Sequence, residues 1–521
     1  MVNLIPLPKE YKALDGYCKI STDSKISSQI DLPLVESMLD DNGEIKVIKD
    51  DSLQKEQYTL DVSKNGITIK ASCNIGAYYA LQSLRQLSKV ELGSNKVPCC
   101  SIKDEPRYSW RGLQLDVSRH FFSKDEIKRL LDMMHMMKLN VFHWHLTDDQ
   151  GWRIEIKKYP LLTEIGSVRN CTQINGWRST DIVQGEHSGY YTQEDIKEIV
   201  EYAANRGISI VPEIDFPAHC AAAIAAYPWL ACREIDCEVP GYFGGIIPEK
   251  IYNIKDWNRP ICLGNDRVIE FVKDIIDEVC ELFPMPYYHI GGDETDKREW
   301  SKCPKCQKRI EENNLGNTDN LQGWFNNELL AYLKSKGKSI IGWNDILSAG
   351  NLDDSIVVQY WTPQRDKKAE AYAKNGGRMI LSNHQSFYFD MTYAQYPLKN
   401  TYNYKPERFR IAPSDNILGV EGELWTEWID GKEKLDLNTY PRMQALADNA
   451  WSSGEKNLHD FYARLEDFKP FFDYFGIGYA VDKVARASNP VLRIINNKKF
   501  YVGDTHAEVK LNNKLKSQGE K

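Results

Sequence analysis

The 521-residue sequence has no apolar run long enough to cross a bilayer, which takes about 20 residues. It does not open on a basic segment followed by an apolar one. Met1-Val2-Asn3-Leu4-Ile5-Pro6 reads as no secretory signal. A cytoplasmic location is therefore expected, or a periplasmic or secreted one if a leader has been removed. An excess of positive charge is also missing. Lys and Arg number 66 against 74 Asp and Glu, a formal net charge of −8, which offers no basic surface to nucleic acid or acidic membrane. The 12 cysteines show no framework spacing. Cys303-Pro304-Lys305-Cys306 is the one tight pair at metal-ligand spacing. A zinc site takes four ligands, and no second pair or histidine pair lies nearby in the chain. A structural role, as thiols or a local disulfide, is expected rather than a metal.

What is present describes an ordinary globular chain with a large core. Hydrophobic residues make up 42% and charged residues 27%, and the length suits two or three domains. The 13 Trp and 28 Tyr are generous. Stacked aromatics suit a sugar-binding cleft, although aromatics are more often core.

Residues 1–105 read as a small α+β support. Tyr58-Thr59-Leu60-Asp61-Val62 and Gly66-Ile67-Thr68-Ile69-Lys70 alternate as strands do. Gly76 to Leu87 carries Tyr78, Leu81, Gln82 and Arg85 at helical spacing. From Trp110 the pattern becomes strand, loop, helix, repeated. Eight candidate strands run Leu113–Val117, Val141–Leu146, Ser209–Ile214, Tyr287–Ile290, Ser339–Trp343, Ile356–Tyr360, Met379–Ser382 and Ile417–Val420. Ser123-Lys124-Asp125-Glu126 and Thr192-Gln193-Glu194-Asp195 are helix-start signals between them. Eight such units predict a (β/α)8 barrel over residues 106–480, helical after Trp451 to about Phe475. Residues 481–521 form a tail, with a pair of short strands expected at 493–495 and 499–502 and a frayed end from Lys514.

A barrel of this kind keeps its chemistry at the C-terminal strand ends. Those ends hold Asp116 and Arg119; Asp148 and Asp149; Asp215 and His219; Asp293 and Glu294; Trp343; Trp361; Tyr388 and Asp390; Trp425 and Glu427. The fourth is the densest. Tyr287 to Ile290 is a short aromatic and β-branched strand that stops at Gly291-Gly292, then Asp293-Glu294. Two glycines permit a bend that turns both acids into one pocket. Crowding and burial then let one stay protonated while its neighbour is charged. Alone, the four residues would fit a solvated surface turn as well.

His289-Ile290-Gly291-Gly292-Asp293-Glu294 resembles the His-x-Gly-Gly-Asp-Glu signature of glycoside hydrolase family 20, the β-N-acetylhexosaminidases. The resemblance extends from about Leu60 to about Trp451. It includes Asp116-Val117-Ser118-Arg119-His120-Phe121 at the first strand and Asp215-Phe216-Pro217-Ala218-His219, an Asp-x-Pro-x-His pattern, after the third. It implies a (β/α)8 barrel behind a small α+β domain, and an exo-acting, retaining enzyme. That enzyme would release terminal β-linked GlcNAc, with GalNAc a second candidate, through an oxazolinium formed by the substrate's own acetamido oxygen. A disaccharide-releasing member of the family is the alternative.

The resemblance makes Glu294 the general acid and Asp293 the acceptor of the acetamido N–H. Tyr388 would contact the acetamido carbonyl. Trp343, Trp361 and Trp425 would box its methyl group and the sugar's apolar face. Arg119, Glu427 and Asp390 would hold hydroxyls. Asp215 and His219 would relay to Glu294, near His289. Asp148 and Asp149 follow His143-Trp144-His145. Two histidines on one strand face are metal-ligand-like, so a metal-dependent barrel hydrolase is a rival. The family places this stretch in a metal-free barrel, and neither metal nor cofactor is expected. The expected partner is a glycan ending in β-linked N-acetylhexosamine. Many members carry a further tryptophan after strand seven. Here Tyr402-Asn403-Tyr404 stands in that region, which leaves the outer pocket wall open.

Overall fold

Tyr58, Leu60 and Val62 are buried while the residues between them are not, so this strand presents one apolar face. In the computed structural model it belongs to a six-stranded mixed sheet. The strands are β1 (Glu10–Lys19), β2 (Ile26–Ser28), β3 (Ile45–Lys49), β4 (Tyr58–Ser63), β5 (Gly66–Ala71) and β6 (Lys96–Asp104), in the spatial order β1-β6-β4-β5-β3-β2. Helix α1 (Asn74–Ser88) covers one face, placing Ala77, Tyr78 and Leu84 in the same cluster as Leu60 and Ile69. The structure describes residues 2–234, 237–243, 260–362, 366–411, 415–487, 491, 494–495, 498, 501 and 503–520.

The sheet is locked to the rest of the chain by a buried ion pair. Lys138 Nζ donates to Asp104 Oδ2 at 3.0 Å and to the Tyr58 hydroxyl at 2.8 Å. Trp451 Nε1 donates to Asp104 Oδ1 at 2.9 Å. Removing one partner would leave the other charge buried and unpaired, at about 3–5 kcal/mol.

The eight expected barrel strands are all present, differing only at their ends. They are β7 (Trp110–Asp116), β8 (Val141–Asp148), β12 (Ser209–Ile214), β13 (Tyr287–His289), β14 (Ser339–Trp343), β15 (Val357–Tyr360), β16 (Met379–Leu381) and β17 (Ile417–Gly422). Every neighbouring pair is parallel, and β17 returns to β7 to close the ring. Three short strands leave this rhythm after β8: β9 (Gly151–Trp152) and the hairpin β10 (Val168–Gln173) with β11 (Ile182–Ser188). Helix α2 (Lys124–Met136) begins at a complete capping box between Ser123 and Glu126. The helix Gln193–Asn205 begins at another, between Thr192 and Asp195.

Strand alternation sorts the barrel's contents. On β8, Phe142, Trp144 and Leu146 join the main core between barrel and helices. Val141, His143 and His145 face inward instead. Val141 closes the barrel's lower end with Trp110, Val211, Ile341, Val357 and Ile380. Above that apolar layer the interior turns polar. The core therefore plugs one end and leaves chemistry to the other.

Two expectations need correction. The tail does not show the strand pair: Ile494, Ile495 and Tyr501 are helical, while Arg493, Lys499, Phe500 and Val502 lie outside the described residues. Nor is the end from Lys514 loose, since Ala507–Ser517 is a helix. It docks through Glu508, which accepts from Tyr393 N at 3.0 Å and Ala394 N at 2.9 Å, and Asn512, which accepts from Val481 N at 2.8 Å. Of the two structural roles expected for Cys303 and Cys306, thiols or a local disulfide, the structure has the thiols. The fold sets them against Cys232 and Cys262, partners too distant in sequence to be seen as a second pair.

Candidate active site

After β13 the backbone enters the left-handed region at Gly291 (φ 64°) and Gly292 (φ 90°), where a side chain is costly. Space also forbids one. A Cβ on Gly291 would lie 1.9 Å from Asp215 Oδ1. The Asp215 carboxylate occupies that side of the turn and accepts from Gly292 N at 3.1 Å. Gln322 Nε2 donates to Gly292 O at 2.7 Å from the other side. The turn so braced delivers Asp293 and Glu294 to one cavity of about 190 Å³ at the C-terminal mouth of the barrel. Glu294 itself has φ 46°, and His219 across from it φ 50°. Left-handed non-glycine residues of this kind cluster at functional sites.

The two acids differ in depth. The Asp293 side chain is 16% exposed and that of Glu294 58%. Burial pushes the Asp293 carboxyl up to about 7, with Asp345 and Glu294 adding to the rise and His219 opposing it. His219 Nδ1 is 3.2 Å from Asp148 Oδ1 and 3.4 Å from Asp149 Oδ2. Its Nε2 is 3.8 Å from both Asp293 Oδ2 and Glu294 Oε2. Burial works against charge on this imidazole, but Asp148 overrides it, so the ring stays protonated well above its usual range. Asp148 is held far below the usual carboxylate range: burial would raise it, and Arg119 and His219 win. Burial and the nearby Asp293 push Asp215 well up, so it holds a proton. The sequence grouped Asp215 with His219. In the structure His219 pairs with Asp148 and Asp149, and Asp215 braces the glycine turn. Asp149 also accepts from Ala221 N at 2.9 Å; it is buried and not among the residues lining the cavity.

Arg119 forms the opposite wall. Asp116 Oδ1 accepts from Ser118 N at 2.7 Å and Arg119 N at 3.2 Å, a local turn that aims the side chain inward. The guanidinium bonds Asp148 at 2.8 Å, Asp116 at 3.2 Å and Gln150 Oε1 at 3.0 Å. It also lies 5.1 Å over the Trp425 ring. Burial raises Glu427 to about 7 against the pull of Arg119. Asp390 is driven well up by burial and by Glu427.

Trp361, Tyr388 and Trp425 line the cavity, and the first two stack at 6.1 Å. Trp343 is not among the lining. It is 1% exposed, donates from Nε1 to Glu213 Oε1 at 2.8 Å and backs Trp425 at 5.8 Å. His289 sits deeper still, with Nδ1 3.0 Å from Glu213. His143 and His145 also converge below the cavity. His145 contacts Glu213 at 2.5 Å and Asp148 at 3.0 Å, and His143 contacts Glu421 at 2.7 Å and Glu213 at 3.1 Å. Their nitrogens thus face carboxylates that hold them in place. Burial is outweighed by Glu421 and Glu213, raising His143 to about 10.

Several residues here were not singled out from the sequence. Glu213 is the hub of the buried network, and its place two residues before Asp215 on the same strand face was the available signal. Trp177, His384 and Met391 complete the cavity wall. Tyr402 and Tyr404 do not: they pack on Phe461 and Phe387 in the core. A larger cavity of about 430 Å³, lined by Tyr78, His135 and Arg206, lies beside α1 and α2, away from these acids.

Among the described residues, four buried polar atoms around the smaller cavity have no hydrogen-bond partner: Asp293 Oδ1, His219 Nε2, Asp390 Oδ1 and Trp425 Nε1. Buried polar atoms are normally satisfied. A ring of donors and acceptors above aromatic faces suits a polyhydroxylated ligand with apolar faces.

A barrel with paired acids at one strand end, a buried arginine and an aromatic box defines a carbohydrate-processing class of site. Residues 108–454 match the model for glycosyl hydrolase family 20, catalytic domain, and residues 29–105 the model for its domain 2. The chain belongs to glycosyl hydrolase family 20. It is 36% identical to a beta-hexosaminidase of Porphyromonas gingivalis over 92% of this chain and 64% of the relative. It is 33% identical to a beta-hexosaminidase of Vibrio furnissii over 86% of this chain and 76% of the relative. The chain thus spans about two thirds to three quarters of these two relatives. Among solved structures, a beta-N-acetylhexosaminidase from Bacteroides fragilis superposes with a TM-score of 0.80 at 32% identity, covering 93% of this chain and 98% of the other. An exo beta-N-acetylglucosaminidase from Vibrio harveyi, in complex with N-acetylglucosamine, also gives 0.80 at 31% identity, over 92% and 78%. No helix among the described residues is long and apolar enough to cross a membrane.

Proposed function

We propose that this chain is an exo-acting β-N-acetylhexosaminidase that removes terminal β-linked GlcNAc or GalNAc with retention of configuration. The observation that carries the reading is the unequal depth of two adjacent acids in one cavity. Glu294, more than half exposed at the mouth, is placed to meet a leaving group that must exit to solvent. Asp293, nearly buried with Oδ1 unpaired, is placed to meet a group carried deeper.

In this reading Glu294 donates its proton to the glycosidic oxygen. Asp293 accepts from the acetamido N–H, orienting the acetamido oxygen towards C1 and supporting the positive charge of the oxazolinium. Trp361, Trp425 and Tyr388 enclose the acetamido group. Arg119, Asp390 and Glu427 bind outer hydroxyls, where charged partners discriminate strongly between sugars. Glu294, now a carboxylate, takes a proton from the water that opens the ring.

Hydrolysis of aryl β-GlcNAc, β-GalNAc, β-glucoside and a disaccharide glycoside tests this directly. Turnover of the first two, with none of the glucoside, is expected. Release of an intact disaccharide would favour the other branch of the family, and turnover that stops with a chelator would favour a metal hydrolase.

A further inference from the structure

Four cysteines from three places in the chain meet beside the barrel mouth. Cys232 and Cys262 lie in the long connection after β12. Cys303 and Cys306 lie after β13, at the start of the helix Pro304–Glu312. Their four sulfurs all lie within 4.8 Å of one another. Cys232–Cys306 is 3.7 Å, while Cys262–Cys303 and Cys262–Cys306 are both 3.8 Å. Three of the four are buried and Cys232 is half-buried.

This pattern is not that of thiols paired for oxidation. A disulfide joins two sulfurs exclusively, whereas here Cys262 is equidistant from Cys303 and Cys306, and Cys306 is shared again with Cys232. A tetrahedral zinc ion with Zn–S bonds of about 2.3 Å sets its sulfurs about 3.8 Å apart, which is the spacing found. The surrounding backbone is built to hold it. A Cβ on Gly264 would lie 2.1 Å from the carbonyl carbon of Lys305 and 2.3 Å from Cys306 N, so the Cys262 turn is pressed against the Cys303–Cys306 turn. Cys262 N donates to Leu230 O at 2.7 Å. Trp300 Nε1 donates to Ile261 O at 2.9 Å.

We infer that Cys232, Cys262, Cys303 and Cys306 form a four-sulfur zinc site that staples the loop after β12 to the loop after β13. Binding releases the four thiol protons to solvent and involves no redox change. With all four positions filled by protein, the site is closed and structural. Its consequence is positional. The first loop carries His219 and the second follows Asp293 and Glu294. Ile261 N, next to Cys262, donates to Pro217 O at 2.9 Å, two residues before His219. The staple thus holds the imidazole's loop against the acids' loop.

Elemental analysis of the full chain, produced with zinc in the medium and purified without chelator, should give about one zinc per chain. An organomercurial thiol reagent should release that zinc, and cobalt should replace it with thiolate charge-transfer bands. Cys262→Ser and Cys306→Ser should each lose zinc by tenfold or more, whereas Cys280→Ser should keep it. If the serine variants do not fold, the zinc content and cobalt spectrum of the unmutated chain still decide. Metal-free protein with four reduced thiols, disulfides between these cysteines, iron in place of zinc, or full zinc in Cys262→Ser would each overturn the assignment. Hydrolysis of aryl glycosides is scored separately, so failure of the zinc site and failure of the proposed activity are distinguishable.

Discussion

His219 Nε2 stands 3.8 Å from Glu294 Oε2, and the same nitrogen is 3.8 Å from Asp293 Oδ2. One protonated ring, anchored from behind by Asp148 at 3.2 Å, therefore acts on both acids. An adjacent cation favours the charged form of a carboxyl, and His219 is the group that restrains the rise of Asp293. His219→Ala removes that restraint. Asp293 then holds its proton to higher pH, and the acidic limb of the kcat/KM profile should move up. A lower rate with both limbs unmoved would reduce His219 to a packing role.

Glu294→Gln keeps the shape of the side chain and removes its proton. Loss of general acid catalysis costs roughly 10²–10⁴-fold, so turnover of natural glycans should fall by that order. Aryl glycosides with strongly acidic phenols need little protonation and should be partly spared. Equal losses on both substrate types would remove Glu294 from the role.

Asp293 should expose a trade between stability and activity. Its carboxyl rises from 3.8 to about 7 in the folded protein. The folded state therefore favours the protonated form, a contribution fully present below about pH 4 and lost as pH rises through about 7. Above that, folding carries the cost of a disfavoured charge. Asp293→Asn removes the charge at nearly constant shape. The variant should be more stable than the parent by about 1–3 kcal/mol at pH 8, and by little at pH 4, while losing most activity. Denaturant melts at the two pH values measure this. A variant less stable at pH 8 would contradict the assigned direction.

Gly291 should tolerate no side chain. Its φ of 64° and the 1.9 Å approach of Asp215 Oδ1 to a built Cβ predict that Gly291→Ala costs about 2–4 kcal/mol. Because the clash is with one side chain, the double variant with Asp215→Ala should lose less than the sum of the single losses. Simple additivity in thermal melts would show that backbone strain alone is responsible.

The strands were legible because their chemistry is local. Apolar runs of four to eight residues between turn residues mark a strand buried on both faces, and Ser209–Ile214 and Ser339–Trp343 were recovered with their ends intact. The paired acids were legible because Gly291-Gly292 announces the bend. What stayed hidden depends on long-range contact. Glu213 gains its meaning from His145, His289 and Trp343, 68 to 130 positions away. The four cysteines span 74 positions and look like one pair and two strays. The C-terminal helix reads as polar and loose because its anchors are themselves polar, Glu508 bonded 115 positions back and Asn512 bonded 31 positions back.

The identity of the nucleophile is the last question the site poses. A retaining glycosidase that uses its own carboxylate needs one set apart from the acid, about 5–5.5 Å across the sugar. Asp390 and Glu427 also line the cavity, and in the proposed reading both hold hydroxyls, while Asp148 is tied up by Arg119 and His219. In the proposed mechanism Asp293 holds the acetamido N–H and the attacking atom is the substrate's acetamido oxygen. Fluorine on the acetamido methyl withdraws electrons from that oxygen, so the rate on aryl glycosides should fall steadily from acetyl to trifluoroacetyl. A thiazoline mimic of the oxazolinium should bind more tightly than the product sugar. Asp293→Asn should flatten the fluorine dependence or abolish turnover, since no charge remains to support the cation. An unchanging rate across the fluorinated series, together with a glycosyl ester trapped on Asp390, Glu427 or any other acid, would assign the attack to the enzyme and refute substrate assistance.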